Sequence, residues 1–255
     1  VKSVEGLVRK ACTEYGMLAD GDRIGIGVSG GKDSMSMLAA MAALRRYSEK
    51  SYYIEALILD PCFGNVEGDY SAIERYCESI DVPLVIKRTN IGEVVFDIRQ
   101  EHNPCSLCAR LRRGSLHDLC IERGLNKIAL GHHKNDAVET LFLNLFNEGR
   151  LDAFSPVSYL SRKNLYMIRP MILCEESLLT AYAARISLPI YKNPCPNDGF
   201  SKREEIKRFC AEKEAEYPGF LTRTFHAMQR ADVSGLAPKF EPDYSRPDKN
   251  EDISE

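Results

Sequence analysis

The sequence predicts an α/β protein: an open, mostly parallel sheet with helices on both faces, followed by a C-terminal helical extension. Three observations carry that expectation. Short apolar runs alternate with stretches of helical period from Ile24 to Phe146, the pattern of βαβ units. The first apolar run enters a glycine turn that opens a helix. Residues with chemical potential fall just after apolar runs, at the strand ends where such sheets bind ligands.

The elements follow in order. Residues 3–18 read as a helix, with Val4, Leu7, Val8, Ala11 and Leu18 at helical spacing. Residues 24–28 form a buried strand, and 33–47 a helix with a broad apolar face from Met35 to Leu44. A second strand spans 53–59, a helix 71–79 and a third strand 83–86. Residues 111–123 form a helix, 127–130 a fourth strand ending at Gly131, and 137–146 a helix. A fifth strand covers 166–168, with helices at 175–186 and 201–216. The expected organisation is an N-terminal helix (1–20), a nucleotide-binding α/β domain carrying a CxxC (21–190), an extension with a third cysteine (191–236) and a tail (237–255). The tail holds three prolines, mixed charge and no periodicity, so it is expected to be disordered.

The 255 residues carry 34 Lys plus Arg against 37 Asp plus Glu, a net charge of −3. With no overall positive field, a nucleic acid must be met by a local patch. Hydrophobic residues at 44% and charged residues at 28% exclude a mainly disordered or collagen-like chain. No apolar run approaches the roughly 20 residues of a membrane span, and no basic-then-apolar leader is seen. A cytoplasmic protein without a membrane partner is expected. In a reducing compartment, nine cysteines point to ligands, catalytic thiols or small buried residues rather than disulfides.

Ser29-Gly30-Gly31-Lys32-Asp33-Ser34 follows the first strand and opens a helix. Two glycines allow a tight turn whose N–H groups point at an anion. The helix N-terminus, Lys32 and the two hydroxyls add to the attraction. The Walker spacing GxxxxGK[ST] is missing. Cys105 and Cys108 form a CxxC, and Cys195, between two prolines, is the best distant third ligand. Three cysteines suit a [4Fe–4S] cluster with one iron left open. Zinc needs a fourth ligand, such as His102 or Asp198, and the spacing leaves both metals open. Cys12, Cys77, Cys120, Cys174 and Cys210 read as small buried hydrophobes. Cys62 lies close to the crevice.

The segment Ser29–Ser34 resembles the SGGxDS signature of the PP-loop ATP pyrophosphatase superfamily. Cys105–Gly114 (CSLCARLRRG) is similar to the CSLCxRLRRG segment of the tRNA 2-thiocytidine synthetase family. Residues 127–136 (KIALGHHKND) resemble that family's KIALGHHxxD, and Ile168-Arg169-Pro170, Pro194-Cys195 and Tyr217-Pro218-Gly219 follow in order. The likeness covers roughly residues 20–235. It implies an ATP-dependent enzyme that adenylates the 2-oxygen of cytidine 32 in a tRNA and replaces it with sulfur. The implied cofactors are ATP, Mg²⁺ and a [4Fe–4S] cluster held by Cys105, Cys108 and Cys195. Lys32, Asp33 and Asp136 would be catalytic. Ser29, Gly30, Gly31, Lys32, Asp33, Ser34, Asp60, Gly131 and His132 would bind the nucleotide, with Asp60 either touching ribose or base or capping the turn before Pro61. A sulfur donor (cysteine desulfurase or sulfide) and a homodimer are implied partners.

The sequence departs from that family in two places. Cys195 is followed by Pro196 and Asn197, without the second cysteine of PCNLC, and Asn135 replaces the first of two adjacent acids. Another acceptor nucleoside or a small molecule remains an alternative, as does a non-catalytic nucleotide-binding module with structural zinc. Arg110, Arg112 and Arg113 either bind phosphates or form a solvated helix face. Lys202, Arg203, Lys207 and Arg208, offset by glutamates, read as a solvated face.

Overall fold

The computed structural model describes residues 3–99, 104–192, 194–196 and 202–239. Strand β1 (Asp22–Val28) sets the architecture. Ile24, Ile26 and Val28 fill one face and are buried, while Gly25 and Gly27 leave the other face bare. A Cβ on Gly25 would lie 2.6 Å from Leu57 and 3.2 Å from Cys120 Sγ, and one on Gly27 3.4 Å from Leu116. Helix α5 (Pro104–Glu122) lies down on that bare face, and Leu119 and Cys120 join Leu57 and Ile128 in a small core.

The other face meets α2 (Lys32–Arg45). This helix is buried almost all round, because α1 (Val4–Glu14) and α7 (Glu176–Arg185) cover its outer side. The remaining strands are β2 (Tyr52–Asp60), β3 (Leu84–Arg88), β4 (Lys127–Ala129), β5 (Val157–Leu160) and β6 (Leu165–Ile168). The sheet order is β3-β2-β1-β4-β6-β5, and only the β5–β6 pair is antiparallel. The direction of winding reverses between β1 and β4, and a crevice opens at such a switch point. The expected fold class is the one found.

The remaining helices are α3 (Ser71–Ser79), a short α4 (Ile91–Glu93) running into a π-helical turn (Val94–Ile98), α6 (Lys134–Glu148), α8 (Lys202–Glu216) and α9 (Phe220–Arg230). Three elements correct the sequence reading. The helix expected at 111–123 starts at Pro104, since proline is tolerated at a first helical position where its missing N–H has no partner to lose. The CxxC therefore lies in a helix rather than before one. Strand β5 was not expected, being four half-exposed residues without apolar alternation. Nor was α9, although Leu221, Phe225 and Met228 recur at helical spacing and the last two are buried.

The extension packs on the main core. Ile206, Cys210, Phe225, Met228 and Leu236 share one cluster with α1 and α2. Tyr15 ties both ends together: its hydroxyl donates to the Leu236 carbonyl at 2.8 Å and accepts from Gln229 Nε2 at 3.0 Å. The expectation of disorder for the tail falls mostly on residues 240–255, outside the described residues. No helix among the described residues is long and apolar enough to cross a membrane.

The loop after β2 is closed by Gly92, whose N–H donates to the Pro61 carbonyl at 2.8 Å. A Cβ there would sit 2.8 Å from Pro61 O and 2.9 Å from Phe63 Cα, both backbone atoms that cannot swing away. Gly92→Ala should therefore cost about 1–3 kcal/mol. A thermal melt should show a drop of roughly 3–10 °C; an unchanged melting temperature would mean that the loop shifts freely.

Candidate active site

The turn after β1 is held by its own hydroxyls. Ser34 Oγ donates to the Gly31 carbonyl at 3.0 Å and accepts from the Ser29 N–H at 3.1 Å, and the Ser29 hydroxyl lies 3.1 Å from it. No side chain caps α2 at Gly31. The first-turn N–H groups and the positive end of the helix dipole thus face the crevice. Gly30 has φ +86°, and a Cβ on it would clash with Tyr191, whose N–H donates to the Gly30 carbonyl at 2.9 Å.

The turn after β4 closes against this loop. A Cβ on Gly131 would lie 3.2 Å from Ser34 N, so only glycine lets the two turns come this close. His133 caps α6, and Asp136 accepts its backbone N–H at 2.9 Å. The His133 ring reaches Asp136 at 3.5 Å and Asp33 at 3.9 Å. Burial would push the Asp136 carboxyl up, but His133 and Arg203 hold it below the ordinary range. His132 stacks on Phe154, and burial together with Arg169 pushes its imidazole down to about 4.

Lys32 turns onto carboxylates. Its Nζ donates to Asp33 at 2.9 Å and to Glu176 Oε1 at 2.9 Å, and Lys207 donates to the same Glu176 oxygen at 2.9 Å. Burial would raise the Glu176 carboxyl, but the two lysines hold it at about 2. Arg203 donates to Asp136 Oδ1 at 2.7 Å.

On α5, Cys105 and Cys108 stand in the first turns, with Arg112 and Arg113 about one turn further on. Cys195 packs against the buried cluster of Leu59, Phe63, Ile91, Val95 and Cys108. Burial pushes the Cys108 thiol up; Arg112 opposes that, while Cys195 and Cys105 add to it. Cys108 therefore lies within electrostatic reach of both Cys105 and Cys195. All nine cysteines are thiols rather than disulfides. Among the described residues no group of three or more His, Cys, Asp or Glu side chains, the three cysteines included, is gathered closely enough to hold a metal ion. The zinc candidates His102 and Asp198 lie outside the described residues.

A cleft of about 450 Å³ opens at the β1/β4 switch point; α5 lines it through Ala109, Arg112, Arg113, Leu116 and His117, while Lys32, Cys105, Cys108 and Cys195 do not line it. Ser29, Asp33, Ser34, Gly131, His132 and Asp136 line it together, with Val28 and Leu59 between them. Asp60 does not line it. Its two carboxylate oxygens accept the Cys62 N–H at 3.0 Å and the Gly68 N–H at 2.8 Å, so it braces the loop behind the cleft.

The PP-loop domain family matches residues 4–213. The tRNA-cytidine(32) 2-sulfurtransferase of Dechloromonas aromatica (strain RCB) is 37% identical over 238 residues, covering 92% of this chain and 82% of that one. The chain belongs to the PP-loop family of tRNA-cytidine(32) 2-sulfurtransferases. The relative of the same name from Dichelobacter nodosus (strain VCS1703A) is also 37% identical, over 92% of this chain and 88% of its own. The U34-tRNA thiolase NcsA from Methanococcus maripaludis, solved with its [4Fe-4S] cluster, has the same fold. Its TM-score is 0.71 at 22% identity, covering 89% of this chain and 77% of that one.

Within this PP-loop sulfurtransferase fold, the sequence reading missed four contributors. His117 lines the cleft, and so does Arg203, which the sequence places on a solvated face. Glu176 and Lys207 meet at Lys32. No spacing along the chain signals these residues; the fold brings Glu176 to Lys32 across 144 residues and Arg203 to Asp136 across 67. His117 Nε2 and His132 Nδ1 are buried with no hydrogen-bond partner among the described residues, leaving two ring nitrogens at the cleft for a ligand.

Glu139, one turn beyond Asp136 on α6, is buried, and burial plus the Asp136 charge pushes its carboxyl up to about 7. A folded value above the unfolded one means that ionisation costs stability as pH rises from about 4.5 to about 7. His132 acts oppositely, its contribution being lost as pH falls from about 6.5 towards about 4. Glu139→Gln should therefore melt above the parent at pH 8, by up to about 3 kcal/mol, with the gap closing as pH is lowered to 5. A gap independent of pH would show that Glu139 ionises without cost.

Proposed function

We propose that this chain is an ATP-dependent tRNA sulfurtransferase that converts cytidine 32 to 2-thiocytidine. The carrying observation is one cleft in which the phosphate loop, Asp136 and the cysteine-bearing helix meet. The names of the relatives supply the acceptor.

The residues divide the work. The Gly30–Gly31 turn, the Ser29 and Ser34 hydroxyls and the α2 N-terminus cradle the β,γ-phosphates of ATP. Lys32 neutralises developing charge on the polyphosphate. Asp33 would hold Mg²⁺, since hard cations take carboxylate oxygen. Gly131 and His132 border the nucleotide on the β4 side. The cytidine 2-oxygen attacks the α-phosphorus, pyrophosphate leaves, and the oxygen becomes a good leaving group. Asp136, kept ionised at the cleft wall, positions the base and the cations around it. AMP departs when sulfur adds at carbon 2.

Cys105, Cys108 and Cys195 would hold an iron–sulfur cluster. Cys108 lies within electrostatic reach of both Cys105 and Cys195, and three soft thiol donors suit a cluster with one open iron. When bound, the cluster supplies a localised sulfur nucleophile.

Anaerobically purified protein should contain about four irons and four acid-labile sulfides per chain. Lys32→Ala should abolish ATP-dependent pyrophosphate release and leave iron in place. Cys195→Ala should lose iron and tRNA thiolation yet still bind ATP. One zinc without iron, or full thiolation by Cys195→Ala, would overturn the three-cysteine assignment.

A further inference from the structure

Helix α8 belongs to the C-terminal extension, and its composition is that of a solvated helix. Its geometry is different. Arg203 and Lys207 stand one turn apart on one face, and both reach inward to the phosphate loop. Arg203 lines the cleft and bonds Asp136 at 2.7 Å. Lys207 shares a single Glu176 oxygen with Lys32, each at 2.9 Å. The same face of α8 thus touches both acids that surround the phosphate loop.

These cations are held by carboxylates. Lys32 is taken by Asp33 and Glu176, Lys207 by Glu176, and Arg203 by Asp136 with Glu139 at 3.9 Å. A polyphosphate brings several negative charges to this place. Arg203 and Lys207 are each about half exposed and sit on long stems, Arg203 at the cleft itself. They can turn to a phosphate without a backbone shift. Their release strands no acid: Asp136 keeps the His133 N–H at 2.9 Å, and Glu176 keeps Lys32 at 2.9 Å, whose ammonium has further N–H groups for phosphate.

We propose that Arg203 and Lys207 complete the triphosphate site from the C-terminal extension, exchanging Asp136 and Glu176 for phosphate oxygens of ATP. This rests on the nucleotide reading of the cleft. Nucleotide is favoured over RNA backbone because Lys207 shares its acceptor atom with the loop lysine. Arg203 points into the cleft rather than out along the surface. The planar guanidinium suits bidentate phosphate contact, and the ammonium acts as a point charge.

The test uses the full chain, purified anaerobically, with two separate equilibrium titrations: ATP alone and unmodified tRNA alone. Arg203→Ala and Lys207→Ala should each bind ATP roughly ten- to a hundred-fold more weakly, the loss of a charge-assisted hydrogen bond. Their tRNA affinity and iron content should match the parent. Arg203→Lys should recover part of the ATP affinity. Arg208→Ala, exposed on the same helix, should match the parent throughout. Melting curves, and the milder Lys207→Gln, separate loss of contact from loss of fold. Parental ATP affinity in folded Arg203→Ala and Lys207→Ala overturns the proposal. Weakened tRNA binding with ATP affinity intact also overturns it and assigns the cations to RNA. A parent protein that binds no ATP fails the nucleotide reading itself, an outcome seen before any variant is compared.

Discussion

The constraint that joins the two turns of the site is steric. Gly131 carries no Cβ, and the turn after β4 therefore rests on the first turn of α2, with room for a Cβ only at 3.2 Å from Ser34 N. Strand β4 is only three residues long, and the chain leaves the sheet at Leu130, whose N–H still bonds Ile168 at 3.0 Å. The starts of α2 and α6 are thereby brought side by side. Two helix N-termini face one cleft, each with a positive end and N–H groups unsatisfied within the helix. His132, His133 and Asp136 take their places from this contact, and a side chain at residue 131 would move all of them.

Bringing two positive ends and several cations together has an electrostatic cost, which buried acids offset. Glu176 and Glu139 report the same field from different places. Glu176 lies between two lysines that hold its carboxyl at about 2 despite burial. Glu139 is buried beside Asp136, with only the more distant Arg203 and Lys207 in compensation, and is pushed up to about 7. Proximity to cations separates the two, since burial acts on both in the same direction. Glu176 stays charged and holds Lys32 and Lys207 in position. Glu139 is the one that titrates near neutrality.

The legible part of this protein was local. The run Ile24 to Val28, the two glycines and the apolar helix behind them specify strand, turn and helix in one short stretch, and the structure follows it. Asp136 was legible for the same reason, lying just after an apolar run that ends in glycine. Asp60 was ambiguous because a carboxylate at a strand end can face a ligand or its own loop, and loop amides occupy both its oxygens here. The start of α5 was hidden by Pro104, which reads as a break unless it stands at the first position. Arg203 and Lys207 were illegible. Mixed charge at helical spacing looks the same on a solvated face and on a cleft wall, and only the docking of α8 against α6 and α7 separates the two.

The thiols and the phosphate loop share one mechanical reference. Cys108, Arg112 and Leu116 succeed one another at four-residue steps along α5, so they share a face of that helix. The helix is seated on β1 through the gap left by Gly25 and Gly27, and β1 runs directly into the phosphate loop. The chain approaching Cys195 is pinned to the same loop by the Tyr191–Gly30 bond. Both arms of the thiol set are thus measured from Ser29–Ser34, one through a rigid helix and the other through a backbone hydrogen bond. Two chemistries that must act on one base need a fixed separation, and a site on rigid elements holds it better than one on loops. That shared reference fixes the place of Cys108 on α5 relative to the phosphate loop.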